Sequence, residues 1–202
     1  MARAWIPRCP APLPAGADWR WCRGLFVALA VLVVWAAALS AAQGQQTLSD
    51  QQLKAAYVLN FIRYTEWPER AFAAPDSPLV VCVLGDPGAA GLSGLAGKSL
   101  KGRPLQVRPV FAAEEASGCH VLFIPESDVR RFVTTLRALQ NRPILTIGEA
   151  DGFIDVGGMI GLVHIDNRLQ FEVNLGVVQQ AQLRSSSQIL RLARNVIEAR
   201  PR

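Results

Sequence analysis

The chain has 202 residues, half of them apolar, with 21 Lys and Arg against 16 Asp and Glu. Four of the Arg and one Asp lie in residues 1–42, so the remainder holds 17 basic and 15 acidic residues, a net of +2. That size and balance exclude a multidomain enzyme, a polytopic membrane protein and a polycationic nucleic-acid binder, which would show a concentrated basic patch.

The first segment reads as an export signal. Arg3, Arg8, Arg20 and Arg23 form a basic n-region, Gly24 to Ser40 is apolar, and the small residues Ala41 and Ala42 follow. The apolar run covers 17 residues, short of the ~20 that span a bilayer. Residues 1–42 are therefore read as a cleaved signal peptide, 43–50 as a short N-terminal segment and 51–202 as one domain. An uncleaved anchor, or a start placed too far upstream, stays open because the n-region is long. Cleavage after Ala42 leaves 160 residues, enough for one domain burying about 70% of its unfolded surface.

A helix is expected from Ser49 to Trp67. Ser49 and Gln52 can form a capping box, Leu53, Tyr57, Phe61, Tyr64 and Trp67 recur at helical spacing, and Pro68 stops it. Leu79 to Leu84 is a continuous apolar run, which fits a strand covered on both faces. Ala89 to Ala96 is expected to make a short helix weakened by Gly91 and Gly94. Further strands are expected at Leu105 to Val110, Cys119 to Ile124 and Ile144 to Ile147. Between the last two, Val129, Phe132, Val133, Leu136 and Leu139 form the stripe of an amphipathic helix that Ser127 can cap.

The pattern then changes to a hairpin over residues 157–173. A three-residue loop, Asp166 to Arg168, would pair Ile165 with Leu169, Val163 with Phe171 and Gly161 with Val173, placing His164 beside Gln170. Two closing helices, Asn174 to Leu183 and Ser186 to Ala199, complete the chain, the second with Ser185 and Gln188 as a capping box. The fold class is α/β: a single domain with a mostly parallel sheet flanked by helices, a C-terminal antiparallel hairpin and two closing helices.

No catalytic constellation is apparent, and the chain is read as a non-enzyme without cofactor or metal. His120 and His164 sit inside apolar strand patterns and read as structural. Gly85 to Gly91 has the spacing G-x-x-G-x-x-G rather than that of a dinucleotide loop. Trp67 either anchors an interface or packs the helix end onto the sheet. Arg184, Arg191 and Arg194 read as a solvated helix face. Beyond the leader, which holds Cys9 and Cys22, the thiols are Cys82 and Cys119. They are either one bridge or two buried free thiols. A bridge across 37 residues would stabilise by roughly 3–4 kcal/mol on the chain-entropy model.

Several strings, in their order and spacing, resemble the YfiR family of exported bacterial proteins. They are residues 54–68 ending in Glu66-Trp67-Pro68, Cys82 to Gly85, Cys119 to Ile124, Ile144 to Ile147, Gly152-Phe153, Gly157 to Ile160, Phe171 to Leu175 and Leu183 to Leu190. The resemblance implies a periplasmic regulator that binds and represses a membrane-bound diguanylate cyclase through that enzyme's periplasmic domain. It also implies relief by an OmpA-like outer-membrane lipoprotein, and coupling of envelope or redox state to cyclic-di-GMP and biofilm formation. The family's disulfide maps onto Cys82 and Cys119; a second bridge found in some members has no counterpart here. A homodimer is compatible with this reading, and no nucleic acid is implied. Asn174, Leu175, Val177 and Val178 are the candidate partner-binding residues, at the end of the hairpin and the start of the next helix. The alternative is a periplasmic small-molecule sensor that uses the C-terminal ends of the strands.

Overall fold

The structure, a computed structural model, describes residues 50–126, 129–166 and 168–198, with backbone alone for 129–132. The leader, Ser49, Ser127, Asn167 and Ala199 lie outside the described residues, and with them the cleavage site and two of the expected caps.

In chain order the elements are α1 (50–64), β1 (Thr65–Glu66), β2 (Leu79–Leu84), β3 (Ser99–Leu100), β4 (Arg103–Val110) and β5 (Val121–Ile124). They continue with α2 (Val129–Ala138), β6 (Leu145–Gly148), β7 (Ile160–Ile165), β8 (Arg168–Asn174), α3 (Leu175–Gln180), β9 (Arg184–Ser185), α4 (Ser187–Leu192) and β10 (Asn195–Ile197). Eight strands form the main sheet in the order β10-β8-β7-β6-β5-β2-β4-β3, and β1 pairs with β9 as a separate two-stranded ribbon. Strands β4, β2, β5, β6 and β7 run parallel, β8 returns antiparallel to β7, and β10 lies parallel to β8. The α/β fold expected from the sequence is the one observed.

Alternation along the strands builds two cores. Val81, Val83, Val121, Phe123, Leu145 and Ile147 face α1, where Val58, Phe61 and Ile62 meet them. Cys82, Leu84, Leu122 and Ile124 face the other way, toward Leu136, Leu139 and Phe153. Because both faces are covered, the central strands can be apolar throughout, and β2 and β5 are. Phe61 is fully buried between Tyr57 and Phe171, with ring centroids 5.8 and 5.0 Å away; burying such a side chain contributes about 1.5–3 kcal/mol. On the second face, Phe153 lies between Gly148 and Gly158, where a Cβ on either glycine would collide with the ring. That is the physical use of the Gly157-Gly158 string.

Five expectations need correction. The first helix ends at residue 64, and Thr65–Glu66 pairs with Arg184–Ser185. The carbonyls that the helix end leaves without a helical partner are met by Ser186 N–H, which donates to Tyr64 O at 2.8 Å, and by Lys101 Nζ, which donates to Thr65 O at 2.5 Å. Residues 89–96 make turns and a 3₁₀ turn at Ser93–Leu95, with Gly91 at φ +74, instead of a helix. The hairpin loop has two residues: Ile165 pairs with Arg168, His164 with Leu169 and Leu162 with Phe171. Asp166 adopts φ 49, the left-handed conformation that two-residue hairpin loops need and that Asp tolerates. The last helix stops at Leu192, and Asn195–Ile197 is an edge strand on β8. Its N-cap is Ser186, whose Oγ accepts from Gln188 N–H at 3.2 Å, in place of a Ser185 capping box.

Candidate functional site

At the end of α1, Trp67, Pro68, Glu66 and Glu69 form one wall of a cleft of about 550 Å³, and Gln179, Gln182, Leu183 and Arg184 form the other. The two walls are joined through the ribbon of β1 and β9, in which Glu66 stands opposite Arg184. Trp67 is half-buried and packs against the α1-side core. Its Nε1–H donates to His120 O at 3.1 Å, so the indole both packs the helix end and faces the cleft.

His120 ties this wall to the sheet. The residue is 8% exposed. Nδ1 accepts from Val80 N–H at 3.1 Å and Nε2 lies 2.9 Å from Ala71 O. Because Nδ1 must accept, the ring is neutral with its proton on Nε2, a tautomer assigned from this network. Phe72 stacks on the imidazole at 4.4 Å, and the Arg103 guanidinium lies 3.7 Å from the Phe72 centroid. At those distances the two cannot share a face, so Phe72 is sandwiched. Arg103 also donates to Ala74 O and Ser77 O, at 3.0 and 2.7 Å. Burial, with the Arg103 charge adding to it, pushes the His120 pKa below the usual histidine value, against the opposing bond to Ala71.

One residue before His120, Cys119 is bonded to Cys82 of β2 across a Cα separation of 5.9 Å. Both cysteines are buried, at 0% and 5% exposure. The bridge therefore clamps the entry of β5 to β2 from the side opposite α1, and Arg108 Nη2 covers it, donating to Glu115 O at 3.2 Å.

The other end of the sheet is charged. Lys54 Nζ lies 2.6 Å from Glu149 Oε1, just past β6, and 3.3 Å from Asp50 Oδ2. Asp50 Oδ1 lies 3.3 Å from His164 Nε2. Burial opposes the charge on Lys54, but Glu149 and Asp50 outweigh it and hold its pKa above the ordinary lysine value. Beside this cluster a smaller hollow of about 370 Å³ runs between α1 and the 88–98 turns. Among the described residues no cluster of three or more His, Cys, Asp or Glu is placed to hold a metal ion.

The candidate partner residues are placed inward. Asn174 is 1% exposed, and Val177 and Val178 are 8% and 0% exposed; Leu175 is half-buried. Asn174 caps α3, its Oδ1 accepting from Val177 N–H at 3.2 Å while its Nδ2 donates to Ile154 O at 3.0 Å. The exposed side chains of this segment are Gln179 and Gln180, and Gln179 belongs to the Trp67 cleft. Sequence reading singled out Trp67 and His120 one at a time. It missed Arg103 and Phe72, whose partners are more than 20 residues away, and Lys54, whose link to Glu149 spans the chain although Asp50 stands at i,i+4 spacing.

A family model described as YfiR/HmsC-like matches residues 51–194. The chain belongs to that family. The family is a regulatory, non-catalytic one of the periplasm. Its matched span holds the cleft wall, the bridge, His120 and the Asn174 cap. Among solved structures, the chain is similar to an ABC domain in complex with L-Trp from Streptococcus pneumonia, at 13% identity and a TM-score of 0.45, covering 60% of this chain and 55% of that one. It is also similar to a conserved domain protein from Vibrio cholerae, again at 13% identity and 0.45, covering 58% and 54%. The chain thus spans little more than half the length of either. Among the described residues no helix is long and apolar enough to cross a membrane.

Proposed function

We propose that this protein is an exported periplasmic regulator that binds the periplasmic domain of a membrane-bound diguanylate cyclase and represses it. Membership of the YfiR/HmsC-like family over residues 51–194 is the observation that carries this reading. The leader of residues 1–42 and a bridged cysteine pair fit a chain that works in an oxidising compartment. Repression needs tighter binding to the inactive state of the cyclase, since equal affinity for both states shifts nothing. An OmpA-like lipoprotein that competes for the same surface would relieve it by mass action, and self-association would do the same.

The surface proposed for this contact is the rim of the Trp67 cleft together with the exposed side of α3. Asn174, Val177 and Val178 would support it from beneath by anchoring α3, through the Asn174 cap and the burial of both valines. Deleting the gene should raise cyclic-di-GMP, and unaltered levels would remove the reading. In the full chain, Glu69→Arg combined with Gln179→Arg should leave folding and export intact and abolish repression. Unchanged repression would move the surface elsewhere.

A second reading is favoured by one observation, the cleft itself. Its volume of about 550 Å³ with an indole in the wall lies in the range of small-molecule sites. A thermal-shift screen with metabolites separates the readings: ligand-dependent stabilisation lost in Trp67→Ala would make the protein a sensor.

A further inference from the structure

The segment from Trp67 to Pro78 has little regular structure of its own, with one 3₁₀ turn at Glu69–Ala71. What holds it is borrowed from the sheet: the His120 ring on Ala71 and Phe72, the His120 carbonyl on Trp67, and Arg103 on Ala74 and Ser77. At the far end of the segment, Val80 N–H donates to Nδ1 of the same imidazole. One side chain thus closes a loop from Ala71 to Val80, and it does so only when one ring nitrogen accepts while the other donates.

We propose that His120 is a pH-sensitive pin, and that acidification releases the 67–78 segment and with it the Trp67 wall of the cleft. A proton added to Nδ1 would face the Val80 N–H, donor against donor, so the imidazolium cannot keep both bonds. The nearest charged group is Arg103, from β4, on the far face of Phe72, and its charge opposes a second cation on the ring. From the segment itself, Glu69 and Asp76 are exposed and form no ion pair with the ring among the described residues. From β2, β5 and β6 the neighbours are the Val80 N–H, the bridged Cys119 and the Leu145 N–H, which donates to His120 O at 2.9 Å; none carries a compensating negative charge. The outcome of protonation is expulsion of the ring or loss of the Val80 bond, and either unties the segment. The pin is a property of the fold. Its bearing on partner binding rests on the regulatory reading above, and the test uses no partner.

The full chain is isolated from the cell envelope, and amide hydrogen exchange of peptides covering 67–80 is compared at pH 7.5 and 5.0, corrected for intrinsic rates. The β6 peptide serves as the internal reference. Exchange in 67–80 should rise about tenfold at pH 5.0 while β6 holds. The His120→Asn variant, which keeps an acceptor for Val80 but cannot titrate, should show no such rise. A wild-type segment equally protected at both pH values, or a variant that opens as the wild type does, overturns the proposal. Should His120→Asn fail to fold, ring NMR of the wild type decides. A His120 titration whose midpoint coincides with that of the exchange supports the pin. A titration without opening, or opening with the ring still neutral, overturns it.

Discussion

The two ends of the sheet are held together by different physics. At the carboxyl ends of the parallel strands, α1 begins on four polar groups, Asp50, Lys54, Glu149 and His164, linked by two lysine–carboxylate ion pairs of 2.6 and 3.3 Å and an Asp50–His164 hydrogen bond of 3.3 Å. At the amino ends, the segment after α1 rests on a neutral imidazole and a sandwiched phenyl ring, with the larger of the two described clefts beside them and the bridge on the opposite face of the sheet. Open α/β sheets commonly bind ligands at their carboxyl ends. Here the larger of the two described clefts is at the opposite end, and the His120 network behind its wall is buried and directional. Ion pairs in partial contact with water tolerate change, whereas a buried hydrogen-bonding group left without its partner does not.

The contrast can be broken in graded steps. Replacing both Cys82 and Cys119 by Ala should cost most, roughly 3–4 kcal/mol for a 37-residue loop; denaturant unfolding measures it, and a loss below 1 kcal/mol would mean the strand pairing needs no clamp. Lys54→Met comes next. Glu149 has 11% of its side chain exposed and would lose its cation, a cost of about 1–3 kcal/mol. Asp50→Asn should cost a few tenths of a kcal/mol and vanish in high salt, because that carboxylate is 39% exposed. If the two charged-end variants cost the same, the division between a buried and an exposed pair is wrong.

The amino end should also respond to pH on its own. His120 has a folded pKa below the ordinary histidine value, held there by burial and the Arg103 charge. The unfolded chain therefore takes up its proton first as the pH falls. Stability should be level above about pH 6.5 and decline as pH drops from there through the folded value. Melting temperatures of the wild type across pH 7.5 to 5 should show this slope, and His120→Asn should flatten it. A wild-type curve flat over that range would show that the imidazole is free to protonate in the fold.

How much of this could be read beforehand varies by element. β2 was legible because six consecutive apolar residues, LVVCVL, suit a strand buried on both faces. The Asn174 cap was legible because an Asn just before a helical run has one local use. The hairpin register was not. Gathering all apolar residues on one face favoured a three-residue loop, but Val163 and Ile165 are half-buried on the second face, so one-sided patterning was the wrong criterion. The edge strand β10 looked like more helix, since its partner Glu172–Asn174 lies more than 20 residues away. The cleft left a trace only in Trp67-Pro68, because its opposite wall comes from residues 179–184.

Sequence alone determined the alternation of strands and helices, the pairing available to the cysteines beyond the leader and the strings that mark the family, for each is written in near neighbours or in composition. Tertiary structure decided the loop register, the turn of residues 195–197 into a strand, and the meeting of His120 with Ala71, Phe72 and Val80. The last two join segments 20 to 50 positions apart, and all three are settled by which arrangement buries apolar surface while leaving no buried donor or acceptor unpaired.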